Sequence, residues 1–346
     1  MPLAYALRRL VSGLVMYLVL MLVFSAVFNA TNEATARAQI EEQVRMEATR
    51  LRNAGAEQVE NFIAEQRARM TRAWRLDRPL LERIVMRAWE TVTFRLGNST
   101  VIKSSAGERE VFAIIAEVMP RTILLFGTAI LAELALGILL GLAMARRPGG
   151  RLDRLASLGT MAVFGMPSWW FGMLMIMLFA YFVPIFPSGG LASTPPPSGA
   201  AAVLDLLHHM ALPLAALLAI RFWGTAYLTR NIALGVLQQD YITAARARGL
   251  PERRVLFGHA LRSAAPPLAT TVVLSLLASV GGNIIYEGIF SWPGMGNLYW
   301  IAVERNDIPV LMGLLSVTTG LYMAGLVALD ILYGFLDPRI RAGSRP

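Results

Sequence analysis

The chain has 346 residues, 55% of them hydrophobic and 16% charged, with mean hydropathy +0.53 and net charge +9. That balance argues for a polytopic membrane protein and against a large soluble enzyme. The absence of cysteine excludes disulfides and thiolate metal sites. In so apolar a chain the positive charge reflects the bias of membrane loops, not nucleic-acid binding.

Six apolar segments can supply the roughly 20 residues that a bilayer core requires. They lie near 10–28, 118–145, 156–183, 209–231, 265–289 and 308–335. Arg8 and Arg9 precede the first, as in a signal peptide. However, Asn29-Ala30-Thr31-Asn32-Glu33 is a poor small-residue cleavage site, so this segment reads as an uncleaved helix.

Residues 30–117 carry 14 basic and 13 acidic residues, too polar for lipid, and read as extracytoplasmic helical hairpins. Ile40, Val44, Ala48 and Leu51 form an apolar stripe at helical spacing. Glu33/Arg37, Glu41/Arg45 and Glu65/Arg69 are i,i+4 pairs that favour helix. Gly55 and Asp77-Arg78-Pro79 mark breaks. Such a surface either docks an external partner or braces the bundle. The expected division is 1–29 (terminus and first helix), 30–117 (extracytoplasmic region) and 118–346 (five-helix core).

Arginines orient the chain. Arg8 and Arg9 precede helix 1, Arg146, Arg147, Arg151 and Arg154 fall between helices 2 and 3, and Arg230, Arg246, Arg248, Arg253, Arg254 and Arg262 fall between helices 4 and 5. Arg339, Arg341 and Arg345 follow helix 6. Residues 184–208, rich in Gly and Pro up to 199, contain no Lys or Arg, and 290–307 contain only Arg305. Both termini and the 232–264 loop are therefore expected in the cytoplasm; the long 30–117 region does not overturn this, because long loops translocate largely regardless of charge.

Catalytic motifs are absent. Lys103 is the only lysine and follows Ile102, so no phosphate-binding Gly-x-x-x-x-Gly-Lys-Ser/Thr loop exists. Neither His-Glu-x-x-His nor Gly-x-Ser-x-Gly occurs. His208 and His209 are adjacent and cannot share a helix face, which argues against a metal cluster with His259. Any ATP energy has to enter through a partner.

The 240–263 segment is suited to such contact. Asp240 is a good N-cap, and Tyr241 to Arg248 follow without a breaker. Gly249 can close the helix in the left-handed conformation. Pro251 is suited to open a second helix through Leu261, with Pro266-Pro267 bending the chain into helix 5. Ala244, Ala245 and Ala247 would let a partner groove approach, flanked by Arg246 and Arg248.

Here the chain resembles the inner-membrane permease subunits of ABC importers, in the dipeptide/oligopeptide/nickel branch. Thr243-Ala244-Ala245-Arg246-Ala247-Arg248-Gly249 is similar to the family's coupling motif Glu-Ala-Ala-x-x-x-Gly, with Thr at the Glu position, a departure that the peptide branch often shows. His259-Ala260-Leu261-Arg262-Ser263-Ala264 looks like its continuation. Further matches are Phe290-Ser291-Trp292-Pro293-Gly294-Met295-Gly296, Asn306-Asp307-Ile308-Pro309-Val310 and Leu336-Asp337-Pro338-Arg339-Ile340-Arg341. Upstream, Leu76-Asp77-Arg78-Pro79-Leu80 and Leu96-Gly97-Asn98-Ser99 resemble its first outer loop, while 33–75 look like an expansion.

The resemblance implies an all-α, six-helix type I importer fold in the inner membrane. It implies a second homologous permease, two ABC ATPases that use ATP and Mg, and an external binding protein or lipoprotein. No cofactor is expected on this chain, whose other contacts are membrane lipids. Cargo would be di- or oligopeptides, with nickel and oligosaccharides as alternatives. Trp292 is expected as an interfacial anchor, with Pro293 and Gly294 as a turn or gate. Glu133, Arg221 and Asp330 fall within apolar segments. Asp330 reads as structural, whereas Glu133 and Arg221 could pair or line a translocation path. An ion-coupled carrier acting alone would instead need functional intramembrane acids and inverted repeats. A non-transporting scaffold would tolerate loss of uptake.

Overall fold

The computed structural model describes residues 3–49, 56–73 and 75–336. The predicted break at Gly55, the Leu51 end of the apolar stripe and residues 337–341 of the tail motif lie outside these. The described residues are almost wholly helical, with one isolated bridge between Asn98 and Glu110.

Helix α1, Leu3–Thr49, runs unbroken for 47 residues. At 1.5 Å per residue it is about 70 Å long, roughly twice the thickness of a bilayer core. Its apolar window is Leu7–Ala30, and the helix continues without a break past residue 30. Beyond it, α2 (Ala56–Ala73) folds back along α1, and Arg67 pairs with Glu41 at 2.7 Å. Glu41 thus takes this distant partner and not Arg45, whereas Arg37 does pair with Glu33, at 2.8 Å. Ile40 and Val44 are buried, as their spacing predicts. Helix α3 (Leu80–Val92) lies against α1.

Among the described residues, four further helices are long and apolar enough to cross a membrane unbroken: α4 (Val111–Arg146), α7 (Ala200–Leu237), α9 (Glu252–Ser279) and α12 over Ile308–Ile331. The expected span at 156–183 is instead two helices, α5 (Arg151–Val163) and α6 (Ser168–Phe182), bent by 93°. Gly165 at φ +79° and Pro167 between them stop the helix from continuing. The expected span at 265–289 is also corrected: α9 starts at Glu252 and ends at Ser279. After Gly282 the chain restarts as α10 (Ile284–Ile289), capped by the Asn283 side chain, which accepts from the Tyr286 amide at 2.9 Å. Pro266 and Pro267 do not separate two elements; they lie inside α9.

Helices α4 and α7 pack closely along one another. Gly137 and Gly141 face Thr225, Ala226 and Thr229, and a Cβ on Gly137 would lie 2.7 Å from Thr225. The Gly-x-x-x-Gly spacing removes side chains where two backbones meet, so packing can hold the helices together where lipid provides no hydrophobic drive.

Two apolar clusters stand at opposite ends of the helices. One joins Val111, Ile114 and Ile115 of α4 to α11 (Met295–Glu304) and to Val310, Leu311 and Leu314 of α12. The other joins Leu142 and Ala145 of α4 to Ala233 and Leu237 of α7 and to Val255, Leu256 and Ala260 of α9.

Candidate functional site

The 240–251 connection packs on the second cluster. Helix α8, Asp240–Ala247, is short and starts at Asp240, so Asp240 is its first residue and not its cap. Gln239 holds the cap position without a side-chain bond. Asp240 in the first turn and Arg246 in the last still complement the helix dipole.

Only part of this helix is free to meet another molecule. Ile242 and Ala245 are buried in the cluster and anchor it. Ala245, expected at the contact surface, therefore points into the chain's own core. Asp240, Tyr241, Thr243, Ala244, Arg246, Ala247 and Arg248 are exposed. Gly249 adopts φ +76°, the left-handed conformation its position requires. Arg246 pairs with Glu252 at 2.8 Å, tying the two sides of the Gly249–Pro251 corner together. The Tyr241 and Ser263 hydroxyls are 2.7 Å apart, which couples α8 to α9. The second helix does not stop near Leu261: Glu252–Ser279 is one span with a π-helical turn at Val255–Ala260. A push on α8 would therefore reach a membrane helix directly through Ser263, Val255 and Ala260.

At the opposite end, the 290–296 turn is interior. Trp292 is 0% exposed, which corrects its expected place as an interfacial anchor. Its indole Nε1 donates to the Arg121 carbonyl at 3.1 Å, and its ring packs with Leu125, Phe126 and Leu212. The Arg121 guanidinium in turn donates to the Pro293 carbonyl at 3.4 Å. Gly294 is needed for space: a Cβ there would overlap Thr122 Oγ1 and lie 2.5 Å from Glu287 Oε2.

Sequence reasoning missed Glu287, although it lies in the apolar 265–289 stretch. Its carboxylate is fully buried and accepts from the Thr122 hydroxyl at 2.9 Å and the Asn297 amide at 3.0 Å. Thr122 Oγ1 accepts from the Met295 amide at 2.7 Å. This chain of bonds locks α4, α10 and the start of α11 together. An acid inside an apolar run was the available signal.

Asp307 joins two motifs that are remote in sequence. It is 0% exposed and accepts from the Ser99 hydroxyl at 2.6 Å and the Val101 amide at 2.9 Å. Burial pushes its carboxyl upward, but these donors outweigh it and hold the group below the usual aspartate range. The Leu96–Ser99 and Asn306–Val310 motifs thus form one clamp.

Within the spans, Arg221 Nε stands 3.0 Å from Glu133 Oε2, and the Thr225 hydroxyl donates to Glu133 Oε1 at 2.7 Å. The pair bridges α4 and α7. Asp330 pairs with Arg9 at 3.2 Å, joining α12 to α1.

The family model described as "Binding-protein-dependent transport system inner membrane component" matches residues 137–342. The oligopeptide transport system permease protein AppB of Bacillus subtilis (strain 168) is 35% identical over 222 residues, covering 64% of this chain and 69% of that protein. The di/tripeptide transport system permease protein DppB of Pseudomonas aeruginosa (strain UCBPP-PA14) is 33% identical over 282 residues, covering 77% and 82%. The dipeptide transport system permease protein DppB of Escherichia coli (strain K12) is 32% identical over 299 residues, covering 80% and 86%. A multi-span helical chain with no nucleotide-binding loop of its own, matched over its core and along most of its length, belongs to the inner-membrane permease family of binding-protein-dependent ABC importers.

Proposed function

We propose that this permease forms half of the translocation pathway for di- and oligopeptides. An external binding protein delivers the cargo, and a second permease completes the pathway. Two ATPase subunits supply energy by hydrolysing ATP with Mg. The names of the relatives above support peptides as cargo. Both termini and α8 lie in the cytoplasm on this reading, and residues 30–117 lie outside, as the arginine distribution favours.

The observation that carries the coupling role is the split character of α8. One face, Ile242 and Ala245, is fixed in the core of the second cluster. The other face is exposed and ends at the left-handed Gly249. ATP-driven closure of the ATPases pushes that exposed face, and the push passes through α9 to rock the helices between outward and inward states. The segments around Trp292, Pro293 and Gly294, wired to α4 through Arg121 and Thr122, act as a rigid part of the outer gate.

Gly249→Val tests the coupling role. The β-branched residue is strained by about 1–3 kcal/mol at positive φ, confined to the α8–α9 corner. The complex is expected to assemble, while substrate-stimulated ATPase and peptide uptake fall together. Wild-type uptake would reject the role. The Glu133–Arg221 pair is proposed to flank the path. Arg221→Ala is then expected to reduce uptake while assembly persists, and unchanged uptake and assembly would remove the pair from the pathway.

A further inference from the structure

A cavity of about 260 Å³ opens where α1, α3 and the start of α12 meet. Arg75, Arg83, Arg87 and Arg95 line it, with Asn29 from α1 and Met312 from α12. Its cations are not balanced locally. Arg75 is paired with Glu90 at 2.8 Å, and Arg83 gives one nitrogen to Glu33. The Arg83 side chain is only 7% exposed, yet its Nε has no acceptor among the described residues. The side chains of Arg87 and Arg95 make no hydrogen bond or ion pair among the described residues. Glu90 opposes the Arg87 charge only through space.

The depth of the cavity narrows what could occupy it. Asn29 lies in the last turn of the Leu7–Ala30 span, and Met312 lies in the second turn of the Ile308–Ile331 span. Both spans end at this level, where lipid headgroups begin. Helix α3 also descends beside the spans. The Ser25 hydroxyl donates to the Ile84 carbonyl at 2.8 Å, and the Ser316 hydroxyl donates to the Thr91 carbonyl at 3.0 Å. Ser316 is eight residues into its span, about 12 Å below its start. Along this descent α3 turns Leu81, Val85 and Trp89 outward at i, i+4 and i+8; Leu81 is 76% exposed and Trp89 is 62% exposed. Such an apolar stripe belongs against acyl chains. On another face of the same helix, Arg83 and Arg87 turn into the cavity.

From these features we infer that the cavity is a phospholipid site: it takes the headgroup phosphate of an outer-leaflet lipid on Arg87, Arg95 and Arg83 Nε. Guanidinium groups match phosphate oxygens in geometry and charge. The volume suits one headgroup. Assignment to the outer leaflet rests on the topology proposed above. Binding itself does not, because the assay below reads occupancy from either side.

The test is native mass spectrometry of the assembled transporter in detergent, titrated with phosphatidylglycerol or with a galactosyl diacylglycerol of the same chains. The wild type is expected to retain phosphatidylglycerol in preference to the galactolipid. Arg87→Gln should weaken that retention by about tenfold, the loss of one charge-assisted contact, with the melting temperature unchanged, and Arg87→Lys should recover most of it. If Arg87→Gln fails to assemble, Arg95→Gln, whose side chain is exposed, carries the same comparison. Equal retention of the galactolipid, or unchanged retention by both Gln variants, would overturn the proposal. So would saturation by inorganic phosphate alone with no gain from acyl chains, or a variant that loses affinity for the binding protein while keeping its lipid.

Discussion

Helix α8 and the 290–296 turn are both short, and both sit between long apolar stretches, yet they have opposite fates. Helix α8 keeps two residues in the core and presents the rest outward. The turn sends Trp292, Gly294, Met295 and Gly296 fully into the interior. The difference shows how each is held. The first is fixed by neighbours close in sequence, from Ala233 to Leu268, apart from Leu142 and Ala145 of α4. The second is fixed by Arg121 and Thr122, about 170 residues upstream. On the roles proposed above, a surface that meets a partner can be mobile in its side chains, whereas a rigid gate needs its bonds satisfied internally.

Substitutions can break or sharpen this contrast. The largest effect is expected for Trp292→Ala. Truncating a fully buried Trp costs about 3–5 kcal/mol, read as a lowered melting temperature and poor assembly; a stable, wild-type-like protein would show that the turn is not a packed anchor. Next is Glu287→Leu, which leaves the Thr122 hydroxyl and the Asn297 amide without their acceptor. Each unsatisfied buried donor costs about 1–3 kcal/mol. Thermal stability measured by fluorescence-detected chromatography should fall, and no change would mean that the network adds nothing. The smallest effect on stability is expected for Arg246→Ala, because its pairing with Glu252 is partly exposed and worth about 0–1 kcal/mol. Its melting temperature should stay near wild type while ATPase coupling changes. A large stability loss would show that the exposed face of α8 is structural after all.

The legibility of each region follows the same division. Five of the six spans were readable as positions from apolar runs alone, because length and hydropathy are local quantities. Their ends were less so. The Gly165–Pro167 break and the Gly282 restart rest on single turn residues that leave the surrounding sequence apolar. Glu33/Arg37 formed as its spacing suggests, but Glu41 chose Arg67 across the α1–α2 hairpin, since an i,i+4 partner is worth only about 0.2–0.5 kcal/mol and is easily outcompeted. The Asp307 clamp was half visible. The two motifs were recognisable, but the contact between them, more than 200 residues apart, was not.

The sequence by itself determined that the chain crosses a membrane several times, that it lacks a nucleotide loop, and that a helix ends at Gly249 between polar residues. These follow from composition, from the absence of a Lys in the required setting, and from the backbone freedom of Gly, all of which act within a few residues. Only the tertiary structure decided which faces are hidden. Ala245 and Trp292 turned inward, Glu287 found its donors, and the arginines of α3 converged on one cavity. Burial depends on what the rest of the chain brings alongside, and no local pattern carries that information.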